Sequence, residues 1–415
     1  MRTMRYLISF FRGWLGVLVI AFVVSLLWEP RSTTAGDVKN VISDLYGGDG
    51  ITLDSTVPGG IFHSPHFGAD SSSALNDLSA TVASGANIFS FNSTVTGFTF
   101  NIQAGLPVRT TESLGPLVAE RASTIGAGKW NVAFTYTRVD FQRFEGTDLD
   151  DLSLTFIHDD IPPAGLGTPA FENDVILADL DLDLEQDIFA FFGTYGLTER
   201  WDAGIVVPII DVHAKATATA TIIDRGGGVV HAFGGDAPDA PTDTVKADAF
   251  GIGDVILRTK YNFSKTSSGA SQHGWPDFAV LGQVSLPTGD EDDLLGSGEV
   301  QFQGLAIVSR EFDWFTPHLN LGYEVTTGSS ERDNLRYVVG FDAKLSSSVT
   351  AALGVIGRWE PYGDDIGDHT VDVAIGVKWD PFDLVPLNVN FLIPVNKDSG
   401  LRTDFTWTIG LEYTF

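Results

Sequence analysis

Acidic residues occupy every second position from 179 to 185, and the positions between them are apolar. The acidic residues are Asp179, Asp181, Asp183 and Glu185. Successive side chains of a β-strand point to opposite faces, so a strand here carries its carboxylates in one line. Lines of carboxylates attract cations in channels, and the spacing predicts a cation-attracting pore lining. The alternative is a polar strand face that meets water, and a calcium-binding loop would need a tight glycine turn that this spacing lacks.

The next predicted strand carries two basic side chains that can face this acidic line. Pairing across a turn predicted at 196–200 brings Asp181 towards Lys215 and Asp183 towards His213. Opposite charges on paired strands attract, so these neighbours would partly neutralise the carboxylates.

Other charged or polar residues fall at positions predicted to point inward from the later strands. They are Arg258, Lys260, His318, Glu324, Arg336, Lys344, Arg358, Lys378, Arg402 and Asp404. Inward charges either line a wet channel or form a salt-bridged lining around a plug, and both interpretations stay open. An inward histidine such as His318 is more typical of a hydrogen-bonded lining than of a general base.

Glu120 and Arg121 stand just before the first predicted strand. One interpretation is that they tie an N-terminal plug to the strand wall. The other is that they cap a turn at the strand entry.

Motifs for catalysis or cofactor binding do not stand out. The chain has no cysteine, and none of its eight histidines lies in a His-x-x-x-His zinc spacing or a Gly-x-Ser-x-Gly context. The sequence therefore predicts no enzyme, no metal site and no cofactor. A net charge of −29 makes nucleic acid a poor partner.

Short segments of alternating apolar and polar residues supply the elements that would position these side chains. Twelve such strands are predicted, at 129–141, 173–195, 201–223, 249–263, 277–288, 299–312, 315–327, 334–346, 349–360, 370–380, 385–395 and 403–415. Long polar gaps alternate with short ones, and aromatic residues cluster at the short-gap ends. These features are typical of a transmembrane antiparallel β-barrel of 12 to 14 strands with periplasmic short turns. A soluble β-sandwich or propeller is the alternative.

The N-terminal part of the chain differs from the barrel segment. Residues 1–35 combine basic residues, an apolar core and a small-residue site, which predicts a secretory signal peptide; an uncleaved anchor is the alternative. Residues 36–128 are rich in glycine, serine and alanine and are predicted to plug the barrel or lie beneath it. Residues 129–415 are the predicted barrel, placed in the bacterial outer membrane.

Two features predict envelope partners. The aromatic C-terminal residue Phe415 is predicted to engage the barrel-assembly machinery. Acidic clusters at 290–293 and 364–368 fall on the predicted outer rim, where they either hold cations that bridge lipopolysaccharide or are simply solvated.

Several runs resemble one known family. They are Ser-Leu-Gly-Pro-Leu-Val-Ala-Glu-Arg-Ala at 113–122, Thr-Ile-Gly-Ala-Gly at 124–128, Thr-Tyr-Gly-Leu-Thr at 194–198, Gly-Ile-Gly-Asp at 251–254, Leu-Pro-Thr-Gly at 286–289 and Pro-His-Leu-Asn at 317–320. In these runs the chain resembles the phenol-degradation MetA-pathway family of outer-membrane proteins, which is related to the secretion pore for functional amyloid. The resemblance implies an outer-membrane barrel that passes aromatic or hydrophobic compounds.

The function expected from the sequence is passive, plug-gated passage of small hydrophobic or aromatic solutes, without a cofactor. Two other classes stay open. The first is an export pore for a polypeptide, and the second is a barrel that serves adhesion or envelope architecture.

Overall fold

The structure is a computed structural model. It describes residues 37–46, 51–52, 56–57, 61–62, 100–103, 106–109, 119–157, 175–223, 232–233, 240–264, 275–328, 333–361, 369–381 and 385–414. The predicted signal peptide at 1–35 and Phe415 lie outside these residues. So does most of the predicted plug, and its extent over 36–128 stays a prediction.

The described residues form twenty strands and two short 3-10 turns. The turns are Val38–Asn40 and Ser43–Leu45. The strands are β1 (Thr56–Val57), β2 (Ile61–Phe62), β3 (Phe100–Gln103), β4 (Leu106–Arg109), β5 (Trp130–Phe144), β6 (Thr147–Asp148), β7 (Leu152–Ile157), β8 (Val175–Thr198), β9 (Trp201–Ile223), β10 (Thr242–Ile252), β11 (Val255–Asn262), β12 (Asp277–Leu286), β13 (Gln301–Ser309), β14 (Phe315–Thr326), β15 (Asn334–Lys344), β16 (Val349–Trp359), β17 (His369–Trp379), β18 (Leu387–Pro394), β19 (Leu401–Thr403) and β20 (Thr406–Thr414). In the part of the chain covered by these ranges, no helix is long and apolar enough to cross a membrane.

Antiparallel pairing closes the main sheet into a barrel. Strands β11 to β18 each pair with the next, β18 pairs with β20, and β20 pairs with β5. From β5 the path continues through β8 and β9 back to β11. Because β10 and β11 form one interrupted strand beside β9, and β19 leads into β20, the barrel has twelve staves, as the sequence predicts.

The outer surface of the barrel is apolar and its inner surface is polar. In β14, Leu319 and Leu321 are 47% and 51% exposed, whereas His318 and Asn320 between them are 4% and 1% exposed. A soluble sandwich would bury the apolar face of such a strand, so the exposed apolar face indicates contact with lipid. The soluble alternative is therefore wrong.

Aromatic side chains ring the end of the barrel that carries the short turns, here called the short-turn end. Trp130, Trp201, Phe263, Trp314 and Trp379 are all exposed there. Such a girdle marks the boundary between lipid and water. The predicted sorting of aromatic residues to this end is confirmed for these five.

The opposite end, here called the long-loop end, is built up further than the sequence predicts. The gaps predicted at 142–172 and 224–248 contain β6, β7 and the first part of β10. Strand β7 pairs with the upper part of β8, and β10 with the upper part of β9, which makes a four-stranded extension. The sequence pattern missed these strands because their polar faces resemble loop composition.

The N-terminal residues 37–46 pack on the inner side of this extension. Val38, Ile42 and Leu45 are buried in one cluster with leucines of β8, alanines of β9 and Leu294 and Leu295 of the 287–300 loop. Residues 119–128 lie near the short-turn end, where Gly128 and Gly196 are hydrogen-bonded. The described N-terminal pieces therefore meet the barrel at both of its ends.

Candidate functional site

A short segment preceding the first barrel strand crosses the lumen near the short-turn end. Residues 119–125, here called the strap, contact inward side chains of β9, β11, β13, β14 and β15. Because those strands form almost half of the barrel wall, the strap lies inside the barrel.

Asn320 on β14 holds the strap by its backbone. Its side-chain oxygen accepts the Glu120 N–H at 2.7 Å, and its side-chain NH2 donates to the Glu120 carbonyl at 2.9 Å. A primary amide presents one acceptor and one donor side by side, so it pairs with both polar groups of a backbone residue.

Further wall side chains satisfy the following backbone groups. The Ala122 N–H donates to Ser309 Oγ at 3.1 Å, and the Asn262 side chain donates to the Ala122 carbonyl at 2.6 Å. The Ile125 N–H donates to the Asp202 carboxylate at 3.0 Å. Backbone polar groups removed from water need such partners, and here the wall supplies them instead of a second strand.

The strap side chains Glu120 and Arg121 form buried ion pairs. Arg258 Nη2 contacts Glu120 Oε1, and Lys260 Nζ lies 3.3 Å from Glu120 Oε2. Arg121 donates to Asp342 Oδ2 at 2.8 Å, and both side chains are at most 5% exposed. Removing one partner of a buried pair costs about 3–5 kcal/mol because the other charge stays desolvated.

His318 is part of the same network. Its Nε2 lies 2.6 Å from Asp342 Oδ2, and its Nδ1 has no hydrogen-bond partner among the described residues. Ser309 is directly opposite His318 in the β13–β14 register, yet its hydroxyl serves the strap backbone. These contacts make His318 a lining residue.

A second ion pair lies on the opposite wall at the same end of the barrel. Lys378 Nζ and Glu412 Oε1 are 2.7 Å apart, and both side chains are 2% exposed. Lys344 shares the inward face of β15 with Asp342 and is half-buried.

The lumen towards the long-loop end carries its own charged set. Glu324 accepts hydrogen bonds from Gln303 at 3.2 Å and Asn334 at 3.0 Å, and it lies 3.4 Å from Arg336. Arg358, opposite Arg336 in the strand register, pairs with Glu360 at 2.7 Å.

The last two predicted lining residues lie near the long-loop rim. Arg402 pairs with Asp372 at 2.7 Å and is nearly buried. Asp404 has a half-exposed side chain and binds Arg143 and Lys397 at 2.8 and 2.6 Å. The placement of Asp404 in the pore lining is wrong, because this residue lies in the exposed connection between β19 and β20.

The acidic line on β8 points away from the lumen. Five residues of β8 and β9 were predicted to line the pore here: Asp179, Asp181, Asp183, His213 and Lys215. Their side chains lie on the same face of the sheet as Tyr195 of β8, which packs against the exposed Trp130. The alternate residues Leu180 and Leu182 point inward and pack in the cluster with residues 37–46. The prediction that these five line the pore is wrong, because protein covers the apolar face of this extension.

The predicted partners on β8 and β9 are also displaced by two positions. Asp183 pairs with Lys215 and Asp181 with Thr217, whereas Glu185 lies opposite His213. Strand β8 continues to Thr198, so two residues form the turn instead of the predicted five. A shift of two positions keeps every side chain on its face.

Two of the sequence motifs meet at the long-loop end. Asp254 accepts hydrogen bonds from the Gly289 N–H at 3.1 Å and from the Ser297 N–H at 2.8 Å. Thr288 Oγ1 donates to the Gly253 carbonyl at 2.7 Å. The Gly-Ile-Gly-Asp and Leu-Pro-Thr-Gly runs thus fix the loop that carries the acidic rim.

Sequence reasoning missed the wall residues that hold the strap backbone. These are Asp202, Asn262, Ser309 and Asn320. The available signal was the number of polar residues at inward positions close to the short-turn end of the strands.

Comparison with known proteins gives one family and several distant structures. Residues 168–408 match the model of a family described as "Putative MetA-pathway of phenol degradation". No curated protein matches the chain.

Three solved structures are similar over most of the barrel. An outer membrane channel from Pseudomonas putida F1 is 9% identical, with 72% of this chain and 100% of that chain covered and a TM-score of 0.46. The Ralstonia pickettii toluene transporter TbuX is 10% identical, with 70% and 89% covered and a TM-score of 0.34. The CymD monoaromatic hydrocarbon channel is 9% identical, with 70% and 88% covered and a TM-score of 0.33.

The family match includes eleven of the twelve staves in whole or in part, from β8 onward, and more than half of the chain. The chain therefore belongs to the family of the MetA-pathway of phenol degradation.

Proposed function

We propose that this protein is an outer-membrane channel through which small apolar or aromatic solutes diffuse passively, and that the strap with Glu120 and Arg121 is its gate. The observation that carries the proposal is a lipid-facing barrel whose lumen is crossed by a segment held through side-chain hydrogen bonds and ion pairs. Such contacts are non-covalent and reversible, and they lie outside the strand pairing of the wall, so the segment can be displaced without unfolding the barrel.

Apolar patches on the inner wall support the solute class. Ala133, Ala190, Phe192, Val206 and Ile256 form one buried cluster. On the opposite side, Ala352 and Ala374 form another, with partly buried aliphatic neighbours. Apolar walls with few polar groups favour apolar ligands. The description of the family by phenol degradation fits aromatic solutes, and diffusion down a gradient needs no cofactor.

The exposed apolar belt supports outer-membrane lipid as the surrounding medium. Within this proposal, residues 1–35 direct export and Phe415 engages the barrel-assembly machinery. The acidic loop at 290–293 faces the long-loop side, where lipopolysaccharide is the proposed neighbour. Burial and the charge of nearby Asp290 raise the pKa of the Asp293 carboxyl.

Uptake of labelled toluene by cells that carry or lack the chain tests the proposal. Faster initial uptake in cells with the chain is expected, together with gated currents of the purified protein in planar bilayers. Equal uptake and a silent bilayer would favour an architectural or adhesive barrel. Loss of a secreted polypeptide in the deletion strain, with equal toluene uptake, would favour an export pore.

A further inference from the structure

Two neighbouring cations on the inner wall hold the Glu120 carboxylate. Arg258 and Lys260 lie two positions apart on β11, so both side chains point into the lumen. Each contacts a different carboxylate oxygen of Glu120, and all three side chains are at most 10% exposed. The strap supplies the anion, and the wall supplies the rest of the contact.

The wall is shaped to accommodate the Arg258 side chain. Gly204 lies opposite Arg258 in the β9–β11 register, and a Cβ atom at Gly204 would lie 3.3 Å from Arg258 Cγ and 3.0 Å from Thr194 Oγ1. A side chain at this position would crowd the guanidinium stem. A small cavity beside it is lined by Thr194, Gly204, Arg258, Lys260 and Leu281, among others.

An apolar strip adjoins the cation pair. Ala279 and Leu281 on β12 and Ile307 on β13 are buried together with Ala122 of the strap. Leu281 is directly opposite Lys260 in the strand register. The strap therefore places a carboxylate on the cations and a methyl group on the adjacent apolar strip.

This combination is the recognition pattern of a small organic acid. A guanidinium and an ammonium bind a carboxylate by charge-assisted hydrogen bonds, and an apolar strip buries the hydrocarbon part of the ligand. We propose that Arg258, Lys260 and the strip of Ala279, Leu281 and Ile307 form a binding site for small carboxylates with an apolar body, such as aromatic acids. Glu120 occupies this site as an internal competitor.

The inference deepens the proposed function and rests on it for its role in gating. A bound acid displaces the Glu120 side chain and thereby removes one of the anchors of the strap. The Asn320 contacts to the strap backbone do not depend on Glu120's carboxylate, so binding alone loosens the strap without expelling it.

Titration calorimetry of the detergent-solubilised full chain with benzoate tests the site, and benzamide serves as the neutral isostere. Glu120→Gln removes the carboxylate that competes with benzoate for Arg258 and Lys260. Because that carboxylate is tethered to the chain, it competes at an effective concentration in the millimolar range. Benzoate is expected to bind E120Q at least about ten-fold more tightly than the unmodified chain. Benzamide is expected to bind both equally, and the double variant E120Q/R258Q should lose the gain.

Glu324→Gln is the matched control, because Glu324 is another buried glutamate whose cationic partner, Arg336, lies on the wall. E324Q should bind benzoate like the unmodified chain. Equal benzoate affinity of E120Q and the unmodified chain would overturn the inference, as would benzamide binding as tight as benzoate binding in E120Q.

Heat-modifiable gel mobility would show whether E120Q folds. If E120Q does not fold, a second measurement on the unmodified chain still tests the site. Benzoate should raise the open fraction of the unmodified channel in planar bilayers, and Lys260→Gln should weaken this response. An unchanged response in K260Q would count against the site. Toluene uptake without benzoate binding would refute this inference alone, whereas benzoate binding without toluene uptake would refute the channel proposal.

Discussion

Asn320→Ala is the most direct test of the strap as a gate. The substitution removes both hydrogen bonds between the wall and the backbone of Glu120, at 2.7 and 2.9 Å, and leaves the surrounding strand intact. Asn320 is 1% exposed, so the substitution changes this buried contact and leaves the surface of the barrel unchanged.

The expected size follows from these two bonds. A typical intramolecular hydrogen bond contributes about 0.5–1.5 kcal/mol net, so two contribute about 1–3 kcal/mol. At about 1.4 kcal/mol for each factor of ten, the ratio of displaced to seated strap should rise roughly 5- to 150-fold. The desolvation cost of buried backbone groups that lose a hydrogen bond pushes the effect towards the upper end.

Single-channel recording in planar bilayers measures this ratio as the open fraction at fixed voltage. Asn131→Ala is the matched control, because Asn131 is also 1% exposed but donates to Thr414 Oγ1 at 2.9 Å, within the wall. N320A should open more often, and N131A should behave like the unmodified channel. An equal open fraction in N320A and the unmodified channel would refute the gate, and an equal rise in both variants would point to a generally loosened barrel.

Three other changes test the barrel, its loop and its rim. Leu319→Arg should destabilise the barrel by about 2–4 kcal/mol if this exposed side chain meets the centre of the bilayer, measured by urea unfolding in lipid vesicles. Gly289→Ala should loosen the 287–300 loop, because the new Cβ would lie 2.5 Å from the Leu295 carbonyl oxygen, and faster proteolysis of that loop checks this. Hydrogen bonds from Lys397 and Arg143 lower the pKa of the Asp404 carboxyl. The contacts of Asp404 should therefore stabilise the fold fully above the ordinary carboxyl pKa and be lost as the pH falls through the lowered value. An acid titration followed by NMR should show this transition in the unmodified chain and lose it in Asp404→Asn.

Much of the barrel can be predicted from the sequence because each membrane strand repeats one simple pattern. Leu319, Leu321 and Tyr323 alternate with His318 and Asn320, and lipid accepts one of these faces and rejects the other. The same reasoning places Arg258, Lys260, Arg336, Lys378 and their neighbours on the inner face. It cannot predict partners, because a pattern of period two does not determine which strand lies opposite across the lumen.

The extension above the barrel shows where this reasoning fails. Asp179 and Asp183 were expected inward by the rule that holds in lipid, but residues 37–46 cover the opposite face of β8 and reverse that rule. One signal was available in the strand itself, because Phe189, Phe191 and Tyr195 share the parity of the aspartates. A continuous strand keeps one face throughout, so outward aromatic residues imply outward aspartates.

The sequence by itself determined the barrel, its twelve staves and, outside β8 and β9, the side of each stave that meets lipid, because the bilayer acts on each strand separately and selects apolar side chains at every second residue. Only the tertiary structure decided that Glu120 lies on Arg258 and Lys260, that Asn320 holds the strap backbone, and that residues 37–46 cover the apolar face of the upper part of β8. The contacts of the strap join residues as many as 221 positions apart, as in the pair of Arg121 and Asp342, and they depend on strand order and register, which no local pattern records.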